Sequence, residues 1–318
     1  MQNSTNIKAG APNPSLKPPS WWAIKMKEMK AAKHSYILMM PYLLLFSLFT
    51  VLPVIMSLLI SFTYFNMLEA PRFIGWQNYI RLFLEDDIFL IAIKNTLLFA
   101  AITGPVSYIA CFIFAWIINE LSPKLRAILT LVFYAPSISG NIYFIWQMIF
   151  SGDRYGIANG LLIKIGVLLE PIQWLRNEDY ILIIIIIVQL WLSLGTGFLA
   201  FIAGLQTVDK TLHEAGAVDG IKNRWQELWY ITLPSMRPQL MFGAVIQLTT
   251  SFAVADVSIS LAGSPSVNYA AETIVTHLMD FGTIRFEMGF ASAIATVLFI
   301  IMVATNLIVQ KLLRKVGE

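Results

Sequence analysis

The sequence predicts an all-α integral membrane protein with about six transmembrane helices. Of its 318 residues, 57% are hydrophobic and only 13% are charged, whereas soluble domains average about 25% charged residues. Apolar stretches of about twenty or more residues recur along the chain, and at ~1.5 Å per residue each can cross a hydrocarbon core of ~30 Å. The segments between these stretches leave no room for a large soluble domain.

The first 35 residues are predicted to form a cytoplasmic tail and an interfacial helix. Residues 1–20 are rich in Asn, Ser, Pro and Lys, a composition that favours a mobile tail. Trp21, Trp22, Met26 and Met29 then alternate loosely with lysines, which is typical of a short amphipathic helix at a membrane surface. The apolar run that follows is about 30 residues long and lacks a small-residue cleavage site, so we expect a retained membrane helix and no signal peptide. Residues 36–318 are predicted to form the six-helix transmembrane domain.

Six segments have the length and hydropathy of a membrane span. They are Tyr36–Phe65, Ile88–Ile118, Ala127–Phe150, Tyr180–Gly204, Leu240–Gly263 and Met288–Leu312. Proline or glycine interrupts four of them, which predicts bent helices whose freed backbone groups bond to neighbouring helices or water. The interrupting residues are Pro41, Pro53, Gly104, Pro105, Pro136, Gly140, Gly195 and Gly197. Between the third and fourth spans, the apolar run 161–169 is too short to cross and predicts an outer helix along the membrane surface.

Basic residues are distributed unequally between the two sides of these spans. If the N-terminus is inside, fifteen of the 22 lysines and arginines fall on the inner side and seven on the outer side. The positive-inside rule therefore places both termini in the cytoplasm.

The longest inner segment, roughly Leu205 to Gln239, predicts two short helices joined by a tight turn. Asp209 can cap a first helix that runs to about Val218, and Gly220 supplies the backbone freedom that ends it. A second helix can run from about Asn223 to Tyr230.

The second of these helices carries an apolar face. Trp225, Leu228 and Trp229 share that face by their i, i+3, i+4 spacing. Such a patch on an inner loop favours docking of a protein partner, but the same side chains could equally pack under the membrane helices. The residues alone leave both interpretations open.

This loop resembles the "EAA loop" of permease subunits from binding-protein-dependent ABC importers. The matching residues are Glu214-Ala215-Gly216, Gly220, Ile231 and Leu233-Pro234. Gly216 replaces the usual second alanine, and one residue more than usual separates Gly220 from Ile231. The resemblance extends over nearly the whole chain and is closest to the sugar-uptake branch of the family. Further matching pieces are Gly156-Ile-Ala-Asn159, Trp174-Leu175, Trp191, Leu205-Gln206, Phe252 to Asp256, and Gly289 to Ala295.

The resemblance implies the type I ABC importer permease fold and a loop that couples to an ATPase. The residues expected to contact the ATPase are Glu214, Ala215, Gly216, Ala217, Asp219 and Gly220. The chain contains no G-x-x-x-x-G-K-[ST] run, the sequence that cradles nucleotide phosphates. ATP and Mg²⁺ are therefore expected in a separate ATPase, and this chain is expected to bind no cofactor.

The expected partners follow from the same resemblance. They are a second, different permease subunit, two ATPase subunits, an extracytoplasmic solute-binding protein, the lipid bilayer and a sugar substrate. The expected location is the bacterial plasma membrane. Nucleic acid is not an expected partner, because the net charge of +3 is small and the basic residues form no arginine-rich tract.

A sugar site in a membrane needs neutral hydrogen-bonding side chains and aromatic rings. By resemblance to sugar permeases, eight residues are expected nearest the substrate: Tyr134, Ser137, Gln189, Trp191, Ser193, Gln247, Thr250 and Ser251. For each of them the alternative is hydrogen bonding between helices. No buried Lys or Arg cluster favours an anionic substrate.

Asp256 is the one carboxylate predicted well within a span, and an ionisable residue there is a functional hypothesis. It could pair with the partner subunit or line the pathway near its outer mouth. Alternatively, it could couple protons in a secondary transporter, which the coupling loop disfavours.

Two other functional classes are disfavoured by the sequence. A membrane enzyme needs a catalytic set, but His34, His213 and His277 are predicted at water-exposed ends, and neither H-E-x-x-H nor G-x-S-x-G occurs. The single cysteine, Cys111, excludes a cysteine-built metal site. A secondary transporter with inverted repeats should have matching broken segments in its two halves, which the sequence does not clearly contain.

Overall fold

Helices form nearly all the regular structure in the computed structural model, which describes residues 21–140 and 142–313. The first half contains α1 (Trp21–Ala31), α2 (Lys33–Phe46), a π-helical turn (Ser47–Val51), α3 (Leu52–Ile60), β1 (Thr63–Tyr64), β2 (Arg72–Phe73), α4 (Gln77–Leu84), α5 (Asp87–Asn119), α6 (Pro123–Ile138), α7 (Ile142–Ile149) and α8 (Ile157–Lys164). The predicted all-α membrane class is confirmed. The short antiparallel pair β1 and β2, which pairs Thr63 with Phe73, was not predicted.

The second half contains the predicted coupling loop and three further spans. Its elements are α9 (Glu178–Leu192), α10 (Thr196–Thr207), α11 (Lys210–Val218), α12 (Arg224–Glu227), a π-helical turn (Leu228–Thr232), α13 (Leu233–Ser235), α14 (Arg237–Phe252), α15 (Asp256–Ala262), a 3₁₀ turn (Val267–Tyr269), α16 (Ile274–Met279), a π-helical turn (Asp280–Ile284) and α17 (Met288–Leu313). Earlier in the chain, α8 overlaps the predicted outer helix at 161–169 only at residues 161–164. The position of this helix along the membrane surface stays a prediction.

The chain divides into two compact units, Met1–Met56 and Ser57–Glu318. In the first unit, α2 and the π turn that follows it bury no side chain within the chain. The π turn lies just before Pro53, whose ring would collide with the carbonyl group four residues earlier in an α-helix. A wider turn at this point relieves that collision. The proposed boundary between residues 35 and 36 stays a prediction, and residues 1–20 lie outside the described residues.

Among the described residues, five helical segments are long and apolar enough to cross a membrane, and a bent pair of helices makes a sixth if it is counted as one span. The five are Lys33–Ile60, Asp87–Asn119, Glu178–Thr207, Arg237–Ala262 and Met288–Leu313, and the bent pair is Pro123–Ile138 with Ile142–Ile149. The prediction of about six spans agrees with this count when the pair is included.

The third predicted span is the most strongly bent, with 85° between α6 and α7. Pro136 lies inside α6 and cannot donate a backbone hydrogen bond, and Ser139 has an extended backbone. The predicted interruption at Pro136 and Gly140 therefore separates two helices. Asn141, a polar residue of the same predicted span, lies outside the described residues.

The first span ends earlier than predicted, at Ile60 instead of Phe65. The buried amide of Asn78 donates hydrogen bonds to the Ser61 carbonyl at 2.8 Å and to the Thr63 carbonyl at 2.9 Å. The carbonyl of Phe65 accepts from the Gly289 amide. These bonds hold the backbone after Ile60 in an extended path.

The fifth predicted span is broken at a point where the sequence has no proline or glycine. The break separates α14 from α15 at residues 253–255. The buried hydroxyl of Thr273 donates to the Val254 carbonyl at 2.7 Å, so a residue of the outer segment satisfies an acceptor freed by the break.

The long helix α5 is central to the second unit. Three buried apolar clusters are present, and α5 contributes residues to each of them. Its N-terminal half joins α4, α16 and α17 in the first cluster, its C-terminal half joins α10 and α14 in the second, and Phe99 joins α9 and α15 in the third. A movement of α5 would therefore displace side chains that pack on it from most of the helices in this unit.

Candidate coupling loop and polar pathway

The first helix of the loop begins and ends where the sequence predicts. The Asp209 carboxylate accepts a hydrogen bond from the Thr211 amide at 2.9 Å, and the bonds from Thr211 lower the pKa of Asp209 below its usual value. After α11, Gly220 has a φ of +95°. The amide of Ile221 donates to the Gly216 carbonyl and that of Gly220 to the Ala217 carbonyl, the pair of bonds of a Schellman motif.

The second helix differs from its predicted range of 223–230. Asn223 caps it by accepting from the Gln226 amide at 2.8 Å, but the α-helix ends at Glu227 and continues as the π turn. A π turn closes its hydrogen bond over one residue more than an α turn. The extra residue between Gly220 and Ile231 is thus absorbed here, and the helix reaches Leu233-Pro234 without a gap.

Five of the six predicted ATPase-contacting residues are exposed on this loop. They are Glu214, Ala215, Ala217, Asp219 and Gly220. Gly216 is buried, and a Cβ atom added to it would lie 2.5 Å from Ile231 Cδ1 and 2.9 Å from Ile221 Cδ1. Two isoleucines thus occupy the space that an alanine methyl group would need, which explains why glycine stands here in place of alanine.

The apolar face predicted for the second helix is partly packed against other helices and partly exposed, so each of the two interpretations holds for some of its residues. Leu228 is buried in the cluster that contains the C-terminal half of α5. The ring of Trp225 lies 5.2 Å from that of Trp116 on α5, although most of Trp225 is exposed. Trp229 and Tyr230 are exposed, which leaves an aromatic surface available to a partner.

The predicted substrate residues lie near the breaks in the spans. A Cβ atom on Gly195, at the break between α9 and α10, would meet Ser137 at 3.0 Å. Ser137 is exposed, and Tyr134 on the same helix is half-buried. Gly197 approaches Gln247 of α14 equally closely. The ends of α6, α10 and α14 thus meet around small residues.

Accessibility divides the eight candidates into two groups. The buried Gln247 amide donates to Cys111 Sγ at 3.0 Å and to the Ser193 carbonyl at 3.2 Å, and the buried Ser251 hydroxyl donates to the Leu248 carbonyl at 2.9 Å. The other six are exposed or half-buried: Tyr134, Ser137, Gln189, Trp191, Ser193 and Thr250. Trp191 lies edge-on to Trp146, with ring centroids 5.4 Å apart.

Asp256 is exposed at the first position of α15, immediately after the break in the fifth span. A charged carboxylate facing lipid at this depth would be costly, and such groups face a bundle interior, a water-filled cavity or a partner. Its exposure in the single chain is therefore compatible with both of the roles that the sequence favours.

The outer segment between α7 and α9 is organised by Asn159, which is fully buried. Its amide donates to the carbonyls of Ser151, Asp153 and Ile172, and its oxygen accepts from the Ile172 amide and from the Trp174 indole at 2.8 Å. Two of the pieces that carried the family resemblance, around Asn159 and Trp174, are thus bonded to each other.

The prediction that His277 lies at a water-exposed end is wrong. Only 3% of its surface is exposed, and its Nε2 lies 2.9 Å from Asp86 Oδ2. The other carboxylate oxygen of Asp86 caps α5 by accepting from the Phe89 amide at 3.0 Å. The two residues are 191 positions apart in the chain, and no local pattern could have paired them.

Next to this pair, Glu272 lines a cavity of about 660 Å³ together with Asp86, His277 and Asp280. Glu272 is buried and accepts a hydrogen bond from the Thr276 hydroxyl at 2.8 Å. Burial raises the pKa of its carboxyl, and Asp280 adds to the effect, while Thr276 and His277 oppose it.

We expect Glu272→Gln to remove part of the pH dependence of unfolding. A carboxyl with a raised pKa in the folded state binds its proton more tightly when folded, so its contribution to stability is greatest at low pH and is lost as the pH rises through the folded pKa. The unfolding temperature of the variant relative to the unmodified protein should therefore increase as the pH rises from about 4, the ordinary pKa of a glutamate, through the raised pKa of Glu272. Thermal unfolding of both proteins in detergent measures this, and a difference that stays constant with pH would contradict the assignment.

Comparisons with known proteins agree with this architecture. A family model described as "Binding-protein-dependent transport system inner membrane component" matches residues 113–318. The arabinooligosaccharides transport system permease protein AraP of Bacillus subtilis (strain 168) is 30% identical over 310 residues, which cover 96% of each chain. The probable ABC transporter permease protein YesP of the same organism is 31% identical over 87% of this chain and 89% of the relative. The lactose transport system permease protein LacF of Rhizobium radiobacter is 27% identical over 85% and 89%.

A solved structure has the same fold. It is a chain of a bacterial ABC transporter involved in the import of the acidic polysaccharide alginate, with a TM-score of 0.73 at 23% sequence identity, over 93% of this chain and 100% of that chain. The predicted type I importer permease fold is confirmed by this likeness. The chain belongs to the family of binding-protein-dependent transport system inner membrane components, the permease subunits of ABC importers.

Proposed function

We propose that this chain is one of two permease subunits of an ATP-driven importer that carries a sugar or oligosaccharide across the bacterial plasma membrane. The observation that carries the proposal is the exposed turn between α11 and α12, whose shape is fixed by the positive φ of Gly220. Relatives named for arabinooligosaccharide and lactose transport support the sugar class. Both termini are proposed to be cytoplasmic, in keeping with the bias of basic residues.

The turn is the part of the chain that enters a cleft on a separate ATPase subunit. Apart from Val218, its exposed residues are small or charged, so the backbone can approach closely while Glu214 and Asp219 bond at the rim. Gly216 lies beneath them and lets α11 pack onto Ile231. ATP and Mg²⁺ are bound by two such ATPase subunits, and this chain holds neither.

The sugar passes beside the breaks in the third, fourth and fifth spans. Tyr134, Ser137, Trp191 and Thr250 are accessible there, and they offer hydroxyl groups and an aromatic ring of the kind that suits a sugar. Gln247 and Ser251 are buried and hydrogen-bonded within the chain, so we propose that they support these residues from behind. Gln189 and Ser193 remain candidates for contact.

One chain provides half of the pathway, and a second, related permease subunit provides the other half. Asp256 then faces either that subunit or the water-filled pathway, as its exposure requires. An extracytoplasmic binding protein delivers the sugar to the outer face. A solved chain with 24% sequence identity, a TM-score of 0.73 and 92% coverage of this chain comes from an alginate transporter in complex with a periplasmic protein that holds an alginate pentasaccharide.

The proposal is tested by co-expression with the neighbouring reading frames, purification, and assay of ATP hydrolysis in proteoliposomes. We expect ATPase subunits to co-purify, and one sugar of a panel to stimulate hydrolysis only when its binding protein is present. Purification of this chain without any ATPase partner, or hydrolysis that no sugar and binding protein change, would overturn the proposal.

A further inference from the structure

The coupling loop is joined to the end of α5 by a short chain of charges. Arg224, the first residue of α12, has its Nη1 atom 3.4 Å from Glu120 Oε1 and 3.2 Å from Glu227 Oε2. Glu120 is the residue that directly follows α5. The other oxygen of Glu227 lies 2.5 Å from Nδ1 of His213 on α11, a close contact without hydrogen-bond angles. The contacts thus run from α11 through α12 to α5.

An aromatic contact reinforces the same junction. The Trp225 ring on α12 lies against the Trp116 ring on α5, 5.2 Å away and inclined by 52°. Together with the ion pair at Glu120, this gives α12 two separate contacts at the end of α5. Trp116, Glu120 and Arg224 line a cavity of about 490 Å³ together with His213 and Glu227.

The position of this junction matters because α5 takes part in all three buried clusters of its unit. The loop follows α10 and precedes α14 in the chain, so a movement of the loop reaches those two helices through the backbone. The loop is not adjacent to α5 in the sequence. Side-chain contacts must therefore carry any movement from the loop to that helix.

We propose that Arg224, with Glu120 and Trp225, forms a clamp that transmits movement of the coupling loop to α5. This inference rests on the proposed importer function. Arg224 is a positioning residue, since it acts on the pathway only through α5. Exposed ion pairs contribute little to folding stability, so its removal leaves the fold intact and changes how ATP hydrolysis responds to substrate.

The test is a double-mutant cycle in the complete transporter, using Arg224→Gln, Glu120→Gln and the double variant. The measured quantity is the stimulation of ATP hydrolysis by sugar-loaded binding protein, together with sugar transported per ATP. We expect each single variant to lower the stimulation about two- to five-fold, the effect of an ion pair of this exposure. The double variant should be no worse than either single one, because the two residues act through one contact. Arg224→Lys should restore part of the response.

Lys124→Gln is the matched control, because Lys124 is exposed at the start of α6 and has no ion pair among the described residues. It removes one positive charge from the same side of the chain and should leave the stimulation unchanged. Additive losses in the double variant, or an unchanged response in Arg224→Gln, would overturn the clamp. Failure of the importer proposal is distinct from either result, since the unmodified protein would then bind no ATPase and respond to no sugar.

Discussion

Gly220→Val is expected to lower the stimulation of ATP hydrolysis by sugar and binding protein about tenfold or more. Gly220 has a φ of +95°, and a β-branched residue held in that conformation costs about 1–3 kcal/mol. The turn between α11 and α12 would relax to another shape and withdraw the exposed residues from the ATPase. We expect stimulation to fall about tenfold or more, since about 1.4 kcal/mol corresponds to a factor of ten. Hydrolysis assays of the reconstituted complex measure this directly.

Gly220→Asn is the matched control for this prediction. No atom lies within 4 Å of a Cβ at this position, so a side chain is limited only by the backbone. Asparagine adopts positive φ more readily than other residues with side chains, and this variant should retain much of the stimulation. Equal loss in both variants would mean that the partner tolerates no side chain here, and an active valine variant would contradict the coupling role of the turn.

Features of the loop that depend on neighbouring residues were predictable from the sequence. Asp209 caps α11, and Gly220 ends it in a left-handed conformation, because both effects involve residues within one helical turn. The extra residue before Ile231 was visible in the sequence as a departure from the family spacing. Its accommodation in the π turn Leu228–Thr232 was not visible, because no sequence pattern in this segment separates a π turn from an α turn.

The outer face was predicted less well because its contacts are long-range. The break at residues 253–255 is stabilised by Thr273, and the end of the first span is held by Asn78. His277 was expected at a wet helix end and instead pairs with Asp86. In each case a buried polar group bonds to a residue of another element. The periodicity of the local sequence does not indicate which residue that is.

The polar pathway could be predicted in part, less well than the loop and better than the outer face. Composition alone could identify Ser137, Gln247 and Thr250 as polar residues in apolar spans. It could not separate Gln247, which is buried against Cys111 and Ser193, from Thr250, which is exposed, because helix rotation and the breaks between helices decide that difference. The division of the candidates therefore required coordinates, and their contact with sugar stays a prediction.

Gly243→Leu is expected to prevent correct packing of α14 against α10. A Cβ atom on Gly243 would lie 2.5 Å from Cζ and 2.6 Å from Cε1 of Phe201, whose ring is fully buried. Tyr108 and Phe112 of α5 hold that ring edge-on, at 5.4 Å and 5.6 Å between centroids. Because the ring cannot move aside, we expect Gly243→Ala to destabilise the fold by about 1–3 kcal/mol and the larger leucine to cost more.

The matched control is Gly104→Ala on α5, where the nearest atom to an added Cβ is Ser251 Oγ at 3.4 Å. This is an ordinary van der Waals contact, and the unfolding temperature of the control should stay close to that of the unmodified protein. Phe201→Leu removes the ring edge that Gly243→Ala strikes, so the double variant should be more stable than the sum of the single effects implies. Thermal unfolding in detergent is measured for the unmodified protein, Gly243→Leu, Gly243→Ala, Phe201→Leu, the double variant and Gly104→Ala. Additive effects of the two substitutions would mean that residue 243 does not pack on Phe201, and α10, α14 and α5 would then have to meet in a different arrangement at that point.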